Sequence, residues 1–371
     1  MMRRTVLGAM AAAPFAAGTA RAGLAPSRPL IVNTLGELSD PNFWGEETGE
    51  LASDRVIRDA IASGTSAINL TLGYVSGEED PFEVSVRDIA RWDEVIRRHP
   101  ASLMKVYCPD DIETAHRLGK IGIIFGFQNA AMMGSDASRV DVFDDLGVRI
   151  IQLTYNVRNQ LGGGSLAPED TPLTPFGREV VERLNARRIM VDLSHSGRQT
   201  CLDAARAASA PICISHTGCR ALVDYPRNKT DEELRLVADK GGFVGIYFMP
   251  FLAHERQITS ADVIAHIEHA VDVCGEDHVG IGTDGSTTAI DDMKRWAAAF
   301  AEDIRRRRAA GISAAGERPD SFLFAIDMRG PEQFRILADK LAARGHSQRR
   351  IEKILGLNFL DYSRRIWSDP A

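Results

Sequence analysis

Two short apolar runs in this chain end in the same dipeptide. Residues 189–193 lead into Ser194-His195, and residues 211–214 lead into Ser215-His216. A helix-like segment follows, and then a third apolar run over residues 242–248. Buried parallel strands read as near-continuous apolar runs. In a parallel barrel the side chains at their carboxyl ends face a shared mouth. Two such runs, each finishing on a histidine, therefore predict one mouth with both imidazoles turned into it.

The rest of the chain repeats the pattern. Eight apolar runs, over residues 29–33, 67–72, 121–127, 149–154, 189–193, 211–214, 243–248 and 279–283, alternate with segments of helical spacing. Residues 55–61 have apolar positions near a 3.6 period. Thr174-Pro175 places a cap before a proline, and Thr230 with Glu233 forms a capping box. Residues 331–345 and 347–357 read as two further outer helices. The alternation predicts an α/β fold, a (β/α)8 TIM barrel, in a length of 371 residues. Residues 161–165, Leu-Gly-Gly-Gly-Ser, read as a flexible loop at the end where barrel active sites lie.

Residues 1–22 fall outside this pattern. Arg3-Arg4 precedes an Ala-rich apolar run, and Ala20-Arg21-Ala22 offers a small-residue cleavage site. The start resembles a twin-arginine export signal, which predicts a periplasmic protein that meets the membrane only during export. One barrel domain would then span residues 23–371. Removing Arg3, Arg4 and Arg21 takes the formal charge from −7 to −10. That balance argues against a nucleic-acid partner, which wants a basic face. A homodimer is compatible with the sequence. Five cysteines contain no CxxC pair, so at least one is free unless two chains are joined, and burial as small apolar residues suits most of them.

Neutral imidazole is the commonest metal ligand, and His195 and His216 on adjacent strands could share one Zn2+. A capping hydrogen bond at each strand end is the other reading. Asp284 follows the last run and faces the same mouth. It could take a proton from an activated water and return it to a leaving amine. An Asp before Gly also suits a turn, and both readings stay open. Arg227 could grip a substrate carboxylate bidentately, or lie on the surface.

Four stretches carry a resemblance. They are Leu193-Ser194-His195, Ile214-Ser215-His216, Pro226-Arg227-Asn228 with Asp231 and Leu234 to Val237, and Val279-Gly280-Ile281-Gly282 with Asp284. Together they resemble the membrane (renal-type) dipeptidase family of zinc peptidases. Residues 355–360 resemble its closing helix, and the similarity is strongest over residues 188–284. The resemblance implies a (β/α)8 barrel with two zinc ions, a bridging glutamate and a dipeptide substrate. It makes His195 and His216 ligands of one metal. Arg227, with Asn228, becomes the substrate-binding pair, and Asp284 the acid/base residue.

The amino-terminal half departs from the family. Where the family has His-x-Asp on its first strand, this chain has Leu35 and Glu37. Leu35 cannot bind metal, and Glu37 still could. The bridging glutamate is replaced by Gln128, which offers one neutral oxygen. The family's substrate-polarising histidine is replaced by Tyr155, a hydrogen-bond donor without charge. The expected cofactor is thus a single zinc or none, on His195 and His216 with help from Asp284 or Gln128, and Glu37 is still able to serve as a ligand from the first strand. Two functions follow. One is a periplasmic metallo-dipeptidase that cleaves a dipeptide or related amide with a zinc-activated water. The other is a dipeptidase-like protein that binds or tailors a peptide without hydrolysis.

Overall fold

The computed structural model describes residues 28–43, 50–309 and 317–367. Its strands are β1 (Ile31–Gly36), β2 (Thr65–Thr71), β3 (Leu103–Lys105), β4 (Ile121–Phe127), β5 (Val148–Gln152), β6 (Met190–Asp192), β7 (Cys213–Thr217), β8 (Phe243–Ile246) and β9 (Val279–Ile281). All pair in parallel, in the order β1-β2-β4-β5-β6-β7-β8-β9. The last strand returns to the first. Asp284 N–H donates to Leu35 O at 2.9 Å, Glu37 N–H to Gly285 O at 3.1 Å, and the Thr34 hydroxyl to Ile281 O at 2.9 Å. The eight-stranded path of the expected (β/α)8 barrel is present, and these bonds bring its ends together.

β3 has no counterpart among the eight apolar runs. It pairs with residues 121–123 of β4, whereas β5 pairs with residues 125–127. It is three residues long, and Lys105 turns to Asp93 and to Leu146 O. That is too short and too polar to register as a buried run.

The helices begin where their caps sit. Thr174 accepts from Gly177 N–H at 2.9 Å ahead of the helix Pro175–Ala186. Thr230 and Glu233 bond reciprocally ahead of the helix Asp231–Asp239. Val32, Ala67, Ile124, Ile150, Met190, Cys213 and Phe243, from seven strands, pack together with the closing helix Asn358–Trp367. Phe359 and Tyr362 of that helix lie 5.4 and 6.0 Å from the Phe243 ring. Each large apolar side chain buried there contributes about 1.5–3 kcal/mol. The amino-terminal end of the barrel is thereby plugged, which leaves the carboxyl end as the mouth.

All five cysteines are free, and all except Cys108 are buried. The export segment expected over residues 1–22 lies outside the described residues. Among the described residues no helix is long and apolar enough to cross a membrane.

The glycine-rich loop differs from its reading as a flexible connection. Gly162, Gly163 and Gly164 are buried. Gly163 N–H donates to Thr200 Oγ1 at 2.9 Å, and Ser165 N–H to His195 O at 2.7 Å. A Cβ on Gly164 would lie 2.0 Å from Tyr155 O. These glycines permit close backbone approach beneath the mouth.

Candidate active site

The two Ser-His pairs are held by one buried carboxylate. β6 stops at Asp192 because its Oδ1 turns back to accept Ser194 N–H (3.0 Å) and the Ser194 hydroxyl (2.6 Å). The same carboxylate reaches β7, accepting Ser215 N–H at 3.0 Å and the Ser215 hydroxyl at 2.6 Å. His195 therefore sits in a turn after its strand, while His216 lies within β7.

These bonds set the tautomers. The Ser215 proton goes to Asp192, so Ser215 Oγ accepts from His216 Nδ1 at 2.9 Å. Asn156 Oδ1 can only accept, so His195 Nδ1 donates to it at 2.7 Å. Both rings then carry their lone pairs on Nε2, and the two Nε2 atoms lie 3.0 Å apart. Burial, and then the Arg227 guanidinium, hold both imidazoles well below their ordinary pKa. Tyr155 stacks on His195 with ring centroids 4.2 Å apart.

Arg227 is 3% exposed. Its Nη1 donates to Ser194 O at 2.5 Å, and its Cζ stands 5.8 Å from the Tyr247 ring centroid. Its Nη2 is buried with no hydrogen-bond partner. Asn228, beside it, is fully occupied. Its Nδ2 donates to Val223 O and Phe251 O, and its Oδ1 accepts from the Tyr247 hydroxyl at 2.6 Å. Asn228 thus pins the loop that presents Arg227, with no polar atom left over for a ligand.

Asp284 follows β9 in the left-handed region, φ 57°. Asp tolerates that conformation better than most residues, and such conformations gather at functional sites. Burial pushes its carboxyl up to about 7, the Arg227 guanidinium opposes that rise, and the Glu37 carboxylate adds to it. Tyr155 feels Asp284 and Arg227 as well, with burial the larger cause of its raised pKa. His195, His216, Arg227, Tyr155 and Asp284 therefore converge on one mouth.

The other two expected ligands behave differently. Glu37 lines a cavity of about 420 Å3 together with Asp284, and its Oε2 accepts from the Ser39 hydroxyl at 2.8 Å. Its carboxylate is open to that cavity yet surrounded by protein, which raises its pKa. Gln128 Nε2 donates to Thr71 Oγ1 at 2.5 Å. Leu35 is buried and has no donor atom to offer. Among the described residues no group of three or more His, Cys, Asp or Glu is placed to hold a metal ion. The two Nε2 lone pairs, backed by Asp192, Ser215 and Asn156, fit one ion. Outer partners that fix ring orientation in this way are what metal-binding histidines have. The residues do not fit a centre of two ions with a bridging carboxylate.

Sequence reasoning passed over Asp192 and Asn156. Asp192 was visible as an acid inside an apolar run, where a carboxylate needs a reason to be buried. Asn156 lies in the loop after β5 and carried no comparable signal.

The chain resembles known proteins along most of its length. The family model of membrane dipeptidases, peptidase family M19, matches residues 48–309. A curated relative, the dipeptidase tcpJ of Claviceps purpurea, is 32% identical over 179 residues, which are 47% of this chain and 42% of that one. A protein from the pqqA 5′ region of Klebsiella pneumoniae is 27% identical over 62% of this chain and 90% of its own length. The crystal structure of an amidohydrolase from Pseudomonas aeruginosa superposes with a TM-score of 0.76 and 31% identity, over 92% of this chain and 98% of that one. With the family's model matched from the first barrel helix to the end of the helix that follows β9, this chain belongs to the membrane dipeptidases, peptidase family M19.

Proposed function

We propose that the protein hydrolyses dipeptides or closely related short amides, binding them by the C-terminal carboxylate and using at most one zinc ion. Arg227 carries this reading. A buried guanidinium with a donor left over, beside a carboxyl of near-neutral pKa and two imidazole lone pairs, is built to receive an anion next to a proton-transfer group. The substrate carboxylate would take the free Nη2 of Arg227. The scissile amide would then lie near Asp284, whose carboxyl feels the same guanidinium. Asp284 would accept a proton from the attacking water and deliver it to the leaving amine nitrogen, and a pKa near neutrality suits both halves of that exchange. The Tyr155 hydroxyl would donate to the carbonyl oxygen as charge develops on it. Zinc held by His195 and His216 would supply Lewis acidity, which lowers the pKa of a water to about 7.

A second reading, peptide binding without hydrolysis, is favoured by one observation: the positions of Leu35 and Gln128 bring no charge to the mouth. Zinc content and dipeptide turnover, measured on the same purified protein, decide between them. Turnover that a chelator abolishes and zinc restores supports hydrolysis. Dipeptide binding without turnover at saturating zinc supports the second reading. The arginine pair and apolar run within residues 1–22 support export to the periplasm. Fusion of those residues to a reporter, with Arg3 and Arg4 changed to lysine as control, tests that.

A further inference from the structure

The cavity that Asp284 shares with Glu37 is larger than proton transfer needs. Its volume, about 420 Å3, lies within the roughly 300–1,000 Å3 of small-molecule pockets. Phe43, Phe248, Trp296, Leu323 and Phe324 line it. Trp296, Leu323 and Phe324 belong to a small hydrophobic cluster of their own, formed by the helix Met293–Ala309 and the chain at 322–324, apart from the barrel core. One wall of the pocket is therefore formed by a cluster outside the barrel core, facing Phe248 and Thr283 to Ser286 at the strand ends.

The charged groups on its wall are three carboxylates and one guanidinium. Asp40 lies 3.7 Å from Arg55, and Arg329 stands over the Phe324 ring at 5.9 Å. Glu37 pairs with no lysine or arginine among the described residues; its bond is to the Ser39 hydroxyl. Arg227 is not on this wall. Asp284 is the group common to both, since it lines the cavity and lies in the field of Arg227. With its carboxylate on Arg227 and its amide by Asp284, a peptide would have this cavity, which Asp284 lines, open to its amino-terminal residue.

We propose that this cavity receives the amino-terminal residue of the substrate, with a large apolar or aromatic side chain against Phe248, Trp296 and Phe324 and the ammonium on Glu37. The proposal rests on the peptide-binding reading of the mouth and adds to it a substrate class, peptides with a bulky apolar first residue. It also gives Glu37 a role other than metal binding: a carboxylate facing an apolar pocket recognises an organic cation by charge and size together.

The test is a series of X-Ala dipeptides, with X as Gly, Ala, Leu, Phe or Trp, measured as Kd by calorimetry and as kcat/KM where turnover occurs. Phe-Ala should be preferred over Gly-Ala by about 10- to 200-fold, the discrimination an apolar pocket provides. Ala289 lines the cavity, so Ala289→Phe should fill it and weaken Phe-Ala at least about tenfold more than Gly-Ala. Glu37→Gln should weaken Phe-Ala, and N-acetyl-Phe-Ala should not show that penalty. Equal handling of Gly-Ala and Phe-Ala by the unaltered protein, with hydrolysis intact, overturns the pocket and leaves the dipeptidase reading standing. Side-chain preference in binding without turnover supports the pocket and removes hydrolysis. No binding of any dipeptide overturns both.

Discussion

His195 and His216 face one another through Nε2 at 3.0 Å, with each ring proton held on the far nitrogen by Asn156 and Ser215. Two acceptors at that distance repel unless a cation is near both. Asp192 does not touch either ring. It fixes the hydroxyl that fixes His216, and the turn that carries His195. Arg227 acts against a bound cation, since its charge already disfavours protonation of both imidazoles. A carboxylate bridge would offset that charge, and Gln128 does not. The two Nε2 lone pairs would suit a cation, while Gln128 adds no negative charge to hold one.

The protein should therefore bind no more than about one zinc per chain, and weakly, because a catalytic zinc ordinarily has three protein ligands. His216→Ala should bring zinc content close to zero after equilibration with buffered zinc, as read by elemental analysis. Equal zinc in the variant and the unaltered protein would remove the histidine pair as the site.

Asp192→Asn tests the tautomer argument. An amide nitrogen facing Ser215 would turn that hydroxyl's proton toward His216 Nδ1, and the ring would then carry its own proton on Nε2. Zinc affinity should fall about 10- to 100-fold, as for other outer-partner changes. A far-UV circular dichroism spectrum checks that the barrel remains. Unchanged affinity would mean that Asp192 serves the fold alone.

At Arg227 the prediction concerns the substrate's terminus. Arg227→Lys keeps the charge and loses the planar fork, so dipeptide KM should rise at least about tenfold. C-terminally amidated dipeptides should bind poorly to the unaltered protein and lose little further on substitution. If amidation makes no difference to the unaltered protein, Arg227 does not hold the carboxylate.

Gly164→Ala should destabilise by about 1–3 kcal/mol, because the added Cβ meets the Tyr155 carbonyl and cannot be accommodated by a side-chain rotation. Denaturant titration reads this directly, and a change below about 0.5 kcal/mol would show that the loop has room to move.

Much of the fold was legible in the sequence. Every strand except β3 falls on one of the apolar runs, and the mouth follows from the two runs that end near His195 and His216. β3 was not legible, because three residues held partly by Lys105 carry no apolar period. Neither was the change of register between the histidines, which comes from Asp192 ending β6 early. The readings of Arg227 and Asn228 separate only in space: adjacent in sequence, one keeps a free donor and the other spends its whole amide on the loop. The cavity beside Glu37 was invisible because residues near 40, 248, 296 and 324 build it together.

Asp284 gives the most demanding prediction, since activity and stability should move in opposite directions. Its folded pKa, about 7, lies above the ordinary 3.8. Below pH 3.8 both folded and unfolded forms are protonated, and the group has no effect. As pH rises through the interval to about 7, the unfolded chain releases its proton first, so folding is progressively disfavoured. Asp284→Asn keeps the shape and the tolerance for φ 57° and removes that titration. In chelator-treated protein the variant should match the unaltered chain near pH 4. At pH 8 it should be more stable by roughly 2–4 kcal/mol, since each pH interval of one between the two pKa values is worth about 1.36 kcal/mol. Dipeptide turnover should fall about 10²- to 10⁴-fold, the usual contribution of a positioned acid/base group. A variant that is less stable at pH 8, or that turns over normally, would show that Asp284 is a structural turn residue and that the proton moves elsewhere.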